Sequence, residues 1–206
     1  MEKLAEFVAK HISDDMTRLI LDRAKWPEID MDLAVNCIES RRKLRGKVQE
    51  WYEDPRLIFP ARLSAEQCSS SATASYKASF AARIGRSIAD LTGGLGVDSW
   101  FFSKKFEKVL YNEMQEGLCA AASHNFRMLD AGNISTNCGI AEKGNIGKIL
   151  GDFRPDIIFM DPARRGEGGK KVFLIEECTP DVLSLKDEVF SYCRHMLLKL
   201  SPMADV

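Results

Sequence analysis

A glycine-rich stretch at residues 90–98 contains the residue types best suited to binding a ligand. It reads DLTGGLGVD and follows a short apolar run. Glycine has no Cβ atom, so such a turn can adopt positive φ and let a ligand approach the backbone, while the first N–H groups of the next helix face polar ligand groups. A tight strand-to-helix turn without a ligand would use the same glycines. The residues that we assign to cofactor binding here are Asp90, Thr92, Gly93, Gly94 and Gly96.

An acidic residue at the end of the next apolar run supports the ligand-binding interpretation. Glu113 lies 20 positions after Gly93 (113 − 93 = 20). A carboxylate at this point can accept two hydrogen bonds from ribose hydroxyls. The alternative is a solvated acid that caps the helix beginning near Gln115. The ribose interpretation predicts a cofactor that carries adenosine.

Dinucleotides and S-adenosylmethionine both fit this pattern, and two residues favour the second. Ser99 stands where the dinucleotide fingerprint has its third glycine or alanine. Asp90 ends the strand with a carboxylate, which would repel a pyrophosphate. The same carboxylate can accept hydrogen bonds from the cationic amino group of a methionine moiety.

A second motif, DIIFMDPARR at residues 156–165, is an apolar strand that ends in Asp161-Pro162. Open α/β sheets bind ligands at the carboxyl ends of their strands. Together with DLTGGLGVDS and LYNE, this motif resembles the class I S-adenosylmethionine-dependent methyltransferases. Within them the chain is most similar to a bacterial group in which an N-terminal helical region precedes the catalytic domain and a THUMP-like domain associated with RNA modification accompanies it. The resemblance runs from about Ser64 to the C-terminus.

The resemblance implies S-adenosyl-L-methionine as the cofactor and gives the motif residues their roles. The methionine end would be held by Asp90, Gly94 and Gly96, the ribose by Glu113, and the methyl acceptor by Asp161 and Pro162. In related amino-methyltransferases the carboxylate and a backbone carbonyl accept hydrogen bonds from an amine and aim its lone pair at the methyl carbon. No metal is required.

Two positions depart from the family pattern. Arg164 stands where these enzymes commonly have an aromatic residue that stacks on a flipped base. A guanidinium can stack on a base or bind phosphate, so we place Arg164 with Asp161 and Pro162 in the catalytic set. The acidic residue that often meets the adenine after the third strand has no clear counterpart, and we assign Asn137 in its place.

The acceptor is expected to be a nitrogen. A related group methylates a pyrimidine carbon through a cysteine that follows the next strand, but here that strand ends in Lys199-Leu-Ser201-Pro202, without a thiol. The resemblance implies a base of rRNA or tRNA as the substrate. We expect Arg165, Lys170 and Lys171 to bind it, with an ordinary surface loop as the alternative.

Two other functions stay open. One is a non-catalytic RNA-binding or interaction module that retains a methyltransferase fold. The other is a nicotinamide-dependent dehydrogenase, which Ser99 and Asp161-Pro162 disfavour. Tight binding of NADH would support the dehydrogenase, and failure to bind S-adenosylmethionine would support the module.

Residues 1–80 predict a small all-helical domain, because their apolar side chains recur at helical spacing. One long helix is expected from about Asp32 to Tyr52, despite Gly46 inside it. Another is expected over residues 72–84, with Tyr76, Phe80 and Ile84 on one face. The basic cluster RRKLRGK at residues 41–47 either contacts RNA phosphates or forms a solvated helix face.

Residues 81–206 predict an α/β domain with a doubly wound, Rossmann-like parallel sheet, the class I methyltransferase core. Short apolar runs alternate with longer amphipathic stretches, which is typical of strands joined by right-handed helical crossovers. Strands are expected at SIADLT, at KVLYNE, and at residues 134–138, 156–161 and 195–200. Family members usually add an antiparallel hairpin after the fifth strand. We therefore expect a core truncated at its C-terminus, without the THUMP-like region.

The composition excludes several classes of protein. Of the 206 residues, 29 are basic, 30 are acidic and 45% are hydrophobic, and the formal charge is −1. These values exclude a disordered chain and argue against a general nucleic-acid coat. The N-terminus shows no signal peptide and no stretch is long and apolar enough for a membrane helix, so we expect a cytoplasmic protein without a membrane partner. The six cysteines form no CxxC pair, and no metal site is expected.

Overall fold

The structure is a computed structural model that describes residues 2–163 and 174–200. Its N-terminal part consists of helices. They are α1 (Glu2–Lys10), α2 (Met16–Leu21), α3 (Met31–Leu44), α4 (Gln49–Glu53), α5 (Arg62–Gln67) and α6 (Ser71–Ala81), with a 3-10 turn at Arg23–Lys25. Side chains cap several helix starts: Asp15 accepts a hydrogen bond from the Arg18 N–H at 2.9 Å, which satisfies an N–H that the helix itself leaves free.

The prediction of one long helix from Asp32 to Tyr52 is wrong, because two shorter helices cover this range. Helix α3 stops at Leu44 and α4 starts at Gln49, because the backbone leaves the helical region at Arg45, with ψ of 122°, and turns at Gly46, with φ of +70°. Left-handed backbone of this kind is easy for glycine and unfavourable for other residues. The break turns Trp51 into the core, where it is fully buried against Phe59 and Trp100.

Helix α6 is present over Ser71–Ala81, so Ile84 lies beyond its end, and the face that carries Tyr76 and Phe80 is not the buried one. Tyr76 is 72% exposed, and Phe80 and Ile84 are 44% and 40% exposed. The buried face is formed by the small residues Ala74, Ala78 and Ala81 together with Lys77. The spacing of Ala74, Ala78 and Ala81, at i, i+4 and i+7, also matches one helix face. Their small side chains allow α6 to approach helix α7 (Val97–Ser103) closely.

The rest of the chain forms a five-stranded parallel sheet in the order β3-β2-β1-β4-β5. The strands are β1 (Ser87–Asp90), β2 (Lys108–Glu113), β3 (Ile134–Cys138), β4 (Ile157–Met160) and β5 (His195–Leu198). Four helices connect them: α7 (Val97–Ser103), α8 (Glu116–Met128), α9 (Ile146–Leu150) and α10 (Val182–Tyr192). This confirms the expected α/β fold. The chain order reverses between β1 and β4, which is the switch point where such sheets bind ligands.

Alternating residues of the central strands enter two cores, one on each face of the sheet. Ile157 and Phe159 of β4 belong to one core, and Ile158 and Met160 belong to the other, as the two-residue period of a strand requires. The first core also contains side chains from α3 to α6, whereas α1, α2 and most of α3 have a smaller core of their own. The expected division at residue 80 stays a prediction, and the first core crosses it.

In the described part of the chain, none of the helices is both long enough and apolar enough to cross a bilayer.

Candidate functional site

The carboxyl ends of β1, β2, β4 and β5 border a cavity of about 630 Å³. The glycine-rich loop of residues 91–96 forms its floor, and the first residues after β2, β3, β4 and β5 form further walls. The helical part contributes a wall that the sequence did not indicate. It consists of Ser64 and Gln67 of α5, and of Cys68 and Ser69 directly after it. The parallel register explains this convergence, since Asp90 pairs with Tyr111 of β2 and with Phe159 of β4.

The glycines of the loop are required by space and by backbone conformation. A Cβ atom on Gly93 would lie 2.1 Å from Cε2 of the Tyr111 ring. Gly94 and Gly96 have φ angles of +53° and +94°, and a Cβ atom on Gly96 would lie 2.7 Å from Cζ of Phe126. The Tyr111 hydroxyl donates to the carbonyl of Gly94 at 2.6 Å. The loop therefore lies flat on β2 and exposes its backbone to the cavity.

Asp90 lies beneath this loop and does not border the cavity. Its side chain is engaged at both oxygens: Oδ1 accepts from the Thr92 N–H at 3.1 Å, and Oδ2 accepts from the Ser99 hydroxyl at 2.7 Å. The residue is only 1% exposed, and this burial raises its pKa to about 7. Asp90 thus joins β1, the loop and α7. Its predicted contact with the methionine end of a cofactor stays a prediction.

Glu113 borders the cavity at the end of β2. Its Oε2 accepts from the Gly94 N–H at 2.8 Å, and its Oε1 accepts from the Gln115 N–H at 2.9 Å. Each carboxylate oxygen can accept a second hydrogen bond. Glu113 therefore fixes the loop against the start of α8 and still has acceptor capacity for hydroxyl groups of a ligand.

Asn137 does not border the cavity. Its Nδ2 donates to Oδ1 of Asn112 at 2.7 Å, and Asn112 in turn donates to the carbonyls of Leu91 and Gly139. This amide pair holds the segment after β3 in place. The residues of that segment that border the cavity are 139–141, where the Ile140 side chain is 50% exposed.

Asp161 and Lys199 face each other across the ends of β4 and β5. The Lys199 ammonium donates to the Asp161 carboxylate, and both side chains are 30% exposed. The Asp161 N–H donates to the Thr92 hydroxyl at 2.7 Å, so Thr92 ties the acceptor motif to the glycine loop. Burial raises the pKa of Asp161, while Lys199 acts in the opposite direction.

Pro162 is buried and borders the cavity beside Asp161. The next residue, Ala163, forms an antiparallel bridge with Thr179. The other residues predicted to bind or position the substrate, Arg164, Arg165, Lys170 and Lys171, lie outside the described residues. Their roles stay predictions.

A buried charged cluster lies where the helical part meets the sheet, and the sequence did not indicate it. The Lys77 ammonium donates to Asp98 Oδ2 at 2.6 Å and to the Ser69 hydroxyl at 2.8 Å. Ser69 also donates to Asp98 Oδ2 at 2.9 Å. One signal could have revealed the cluster: Lys77 interrupts the alanines that form the buried face of α6, and a buried lysine requires a partner.

The basic cluster of residues 41–47 supports the fold. Arg41 is buried and donates to the backbone carbonyls of Trp51, Tyr52, Asp54 and Leu57. Arg42 donates to two carbonyls of the α1–α2 connection, and Lys47 to two carbonyls in α5. Arg42, Lys43 and Arg45 are exposed, and the Lys43 ammonium lies 3.5 Å from the Glu66 carboxylate.

Over residues 2–163 and 174–200, no three His, Cys, Asp or Glu side chains come together as they would around a metal ion.

Comparison with family models and with curated proteins finds no match. Among solved structures, the chain is similar to a protein of Porphyromonas gingivalis described as a candidate methyltransferase, with 32% identity, a TM-score of 0.78, and coverage of 98% of this chain and 49% of that one. The chain thus spans about half the length of that protein. The likeness and the sheet order show that the chain has the Rossmann-like fold of the class I methyltransferases.

Two more distant structures are an rRNA methylase from Streptococcus thermophilus and precorrin-6y C5,15-methyltransferase from Geobacter metallireducens. The first is 14% identical with a TM-score of 0.43 and covers 60% of this chain and 69% of its own. The second is 14% identical with a TM-score of 0.46 and covers 64% of this chain and 62% of its own. Likenesses at this level carry no information about substrate.

Proposed function

We propose that the chain is an S-adenosylmethionine-dependent methyltransferase domain that methylates a nitrogen of an RNA base. One observation carries the proposal: Glu113 borders a cavity at the switch point of the sheet and is hydrogen-bonded to the glycine loop that forms the cavity floor. A cavity of about 630 Å³ also suits a small-molecule cofactor.

The adenosine part of the cofactor would lie between the ends of β2 and β3. Glu113 has acceptor capacity for the two ribose hydroxyls, since each of its oxygens accepts only one N–H from the chain. Met114 and Ile140 border the cavity and are each 50% exposed. Two half-exposed apolar side chains there give an adenine ring surfaces to cover.

The methyl acceptor would bind near Asp161 and Pro162. S-adenosylmethionine supplies an electrophilic methyl group on a sulfonium that is a good leaving group. The role of Asp161 is to accept a hydrogen bond from the acceptor N–H, orient the nitrogen lone pair and take up the proton that this nitrogen loses. A raised pKa suits a carboxylate for that proton transfer. Lys199 and Thr92 keep the carboxylate and its backbone in position.

RNA enters the proposal through the resemblance to the THUMP-like-domain group and through the basic residues after Asp161. Arg164 would stack on a base or bind phosphate, and Arg165, Lys170 and Lys171 would bind the RNA backbone. The substrate would be rRNA or tRNA in the cytoplasm.

Calorimetry with S-adenosylmethionine, S-adenosylhomocysteine and NADH tests the cofactor. We expect binding of the first two and none of NADH. The Glu113→Gln variant removes the carboxylate charge but keeps one acceptor oxygen, so the affinity should fall by about tenfold or more. Glu107→Gln is the matched control, because Glu107 is exposed and bonded to Arg86 far from the cavity. A wild-type protein that binds neither adenosyl ligand refutes the proposal.

The substrate is tested in cells. Mass spectrometry of the nucleosides in rRNA and tRNA should show one methylated base that is lost in a deletion strain and restored by the wild-type gene. The Asp161→Asn variant should fail to restore it, while its product still binds cofactor. If the deletion changes no RNA nucleoside although the protein binds cofactor, the RNA part of the proposal is refuted and the cofactor part stands.

A further inference from the structure

We propose that Asp98, rather than Asp90, is the carboxylate that binds the ammonium group of the methionine moiety. The inference rests on the proposed function, because it concerns the same cofactor. It gives the helical part of the chain a direct role in the cofactor site, since Asp98 is held there by Ser69 and Lys77.

Asp90 is poorly placed for this task. Both of its oxygens already have donors from within the chain, it is 1% exposed, and it does not border the cavity. Because of this burial, a ligand ammonium could reach it only if the loop opened. Glu113 is the last residue of β2, and its remaining acceptor capacity is already assigned to the ribose hydroxyls in the proposed function.

Asp98 is placed differently. It lies in the first turn of α7, directly after the glycine loop, and it borders the cavity although it is only 9% exposed. Its Oδ2 accepts from Lys77 and Ser69. Its Oδ1 has no hydrogen-bond donor in the described part of the chain. A buried carboxylate oxygen without a donor is unfavourable, so a ligand that brings an N–H donor relieves that cost.

The surroundings allow Asp98 to present this oxygen. Oδ1 is itself inaccessible as the structure stands, so a ligand bond requires a rotation of the carboxylate about its Cβ–Cγ bond. Lys77 has three donors and the Ser69 hydroxyl rotates freely, so both can follow the carboxylate without losing their bonds. Lys77 also lies 5.0 Å from the centre of the Phe159 ring, which favours its charge in this buried position.

Two isosteric variants, Asp98→Asn and Asp90→Asn, show which of the two aspartates binds the ammonium group. S-adenosylhomocysteine and 5′-methylthioadenosine share the adenosyl group and the sulfur, but only the first carries the amino-acid end. We expect Asp98→Asn to weaken binding of S-adenosylhomocysteine by about 10- to 100-fold, as for loss of one charge-assisted hydrogen bond. Binding of 5′-methylthioadenosine should change by less than about threefold.

Asp90→Asn is the matched control. Because Asp90 supports the whole loop, its variant should change the affinities for both ligands by the same factor. The proposal is overturned if Asp98→Asn leaves the ratio of the two dissociation constants at its wild-type value, or if Asp90→Asn is the variant that changes this ratio.

The same binding measurements distinguish a wrong role for Asp98 from a wrong cofactor. If the wild-type protein binds neither ligand, the cofactor itself is wrong. If it binds both and the ratio does not respond to Asp98→Asn, only the role of Asp98 is wrong. Since Asp98→Asn leaves the Lys77 charge buried without a counter-ion, the double variant Asp98→Asn/Lys77→Met provides a second measurement in which both charges are removed. Retained binding of 5′-methylthioadenosine reports that either variant is folded.

Discussion

The Asp90→Asn substitution should change how the stability of the protein depends on pH. Asp90 is fully enclosed, and burial raises its pKa from the ordinary 3.8 to about 7. The nearby Asp98 raises it too, whereas the hydrogen bonds from Ser99 and Thr92 and the charge of Lys77 act against the rise. An acid with a raised pKa binds its proton more tightly in the folded state, so its contribution to the free energy of unfolding falls as pH rises from about 4 to about 7.

The size of the effect follows from these two pKa values. A difference of about 3 in pKa corresponds to about 4 kcal/mol in total, and about 3 kcal/mol of it falls between pH 5 and pH 8. The amide of the variant can still bond to Thr92 and Ser99 but does not ionise. The free energy of unfolding of Asp90→Asn, relative to wild type, should therefore rise by about 3 kcal/mol between pH 5 and pH 8.

Urea unfolding at pH 5, 6, 7 and 8 measures this difference. Asp156→Asn serves as the control, because hydrogen bonds from Arg86 and Ser87 hold the pKa of Asp156 below its usual value. The contribution of Asp156 is therefore lost only as the pH falls below about 4, and its variant should run parallel to wild type from pH 5 to pH 8. Parallel curves for Asp90→Asn over the same interval would refute the account of Asp90 as a buried, neutralisable acid.

Three further outcomes are expected. Gly93→Ala should lower the thermal midpoint and weaken cofactor binding by more than about tenfold, since the added Cβ atom would lie 2.1 Å from the buried Tyr111 ring. Gly117→Ala is the control: its added Cβ atom would have no neighbour within 4 Å, so it should be neutral or slightly stabilising in the same thermal scan. Arg41→Met should cost about 3 kcal/mol or more in urea unfolding, because it leaves buried carbonyls without donors, and a loss below about 1 kcal/mol would contradict that role. Lys199→Met should raise the pKa of Asp161 further, so the acid limb of the pH–rate profile should move to higher pH; an unmoved limb would show that Asp161 does not take up the proton.

The parts of the site that follow from local geometry could be read from the sequence. Gly94 and Gly96 have the positive φ angles that the turn requires, and Glu113 and Asp161 stand at the ends of the strands expected for them. The conformation of the turn depends on neighbouring residues, and the position of the two acids depends on the rule that parallel strands present their carboxyl ends at one edge. The α/β class followed from the same kind of information, because the periods of helices and strands are local.

The choice between two plausible helix faces required the tertiary structure. In α6 both Tyr76 with Phe80 and Ala74 with Ala78 have helical spacing. The aromatic pair is the more hydrophobic, but the alanines are buried because α6 packs closely against α7 and the sheet. Hydrophobicity alone does not report how much room a neighbouring element leaves.

Long-range polar contacts were likewise decided by the fold. Asp98 is 21 positions from Lys77 and Asp161 is 38 from Lys199, and no spacing rule connects residues so far apart in the chain. Such partners meet only because the packing of α6 on α7, and of β4 beside β5, brings them together. The amino-acid sequence thus determined which side chains stand at the strand ends and in the turn. The tertiary structure decided which of these side chains face the cavity. Asp90, for example, is bonded to Thr92 and Ser99 beneath the loop, whereas Asp98 borders the cavity.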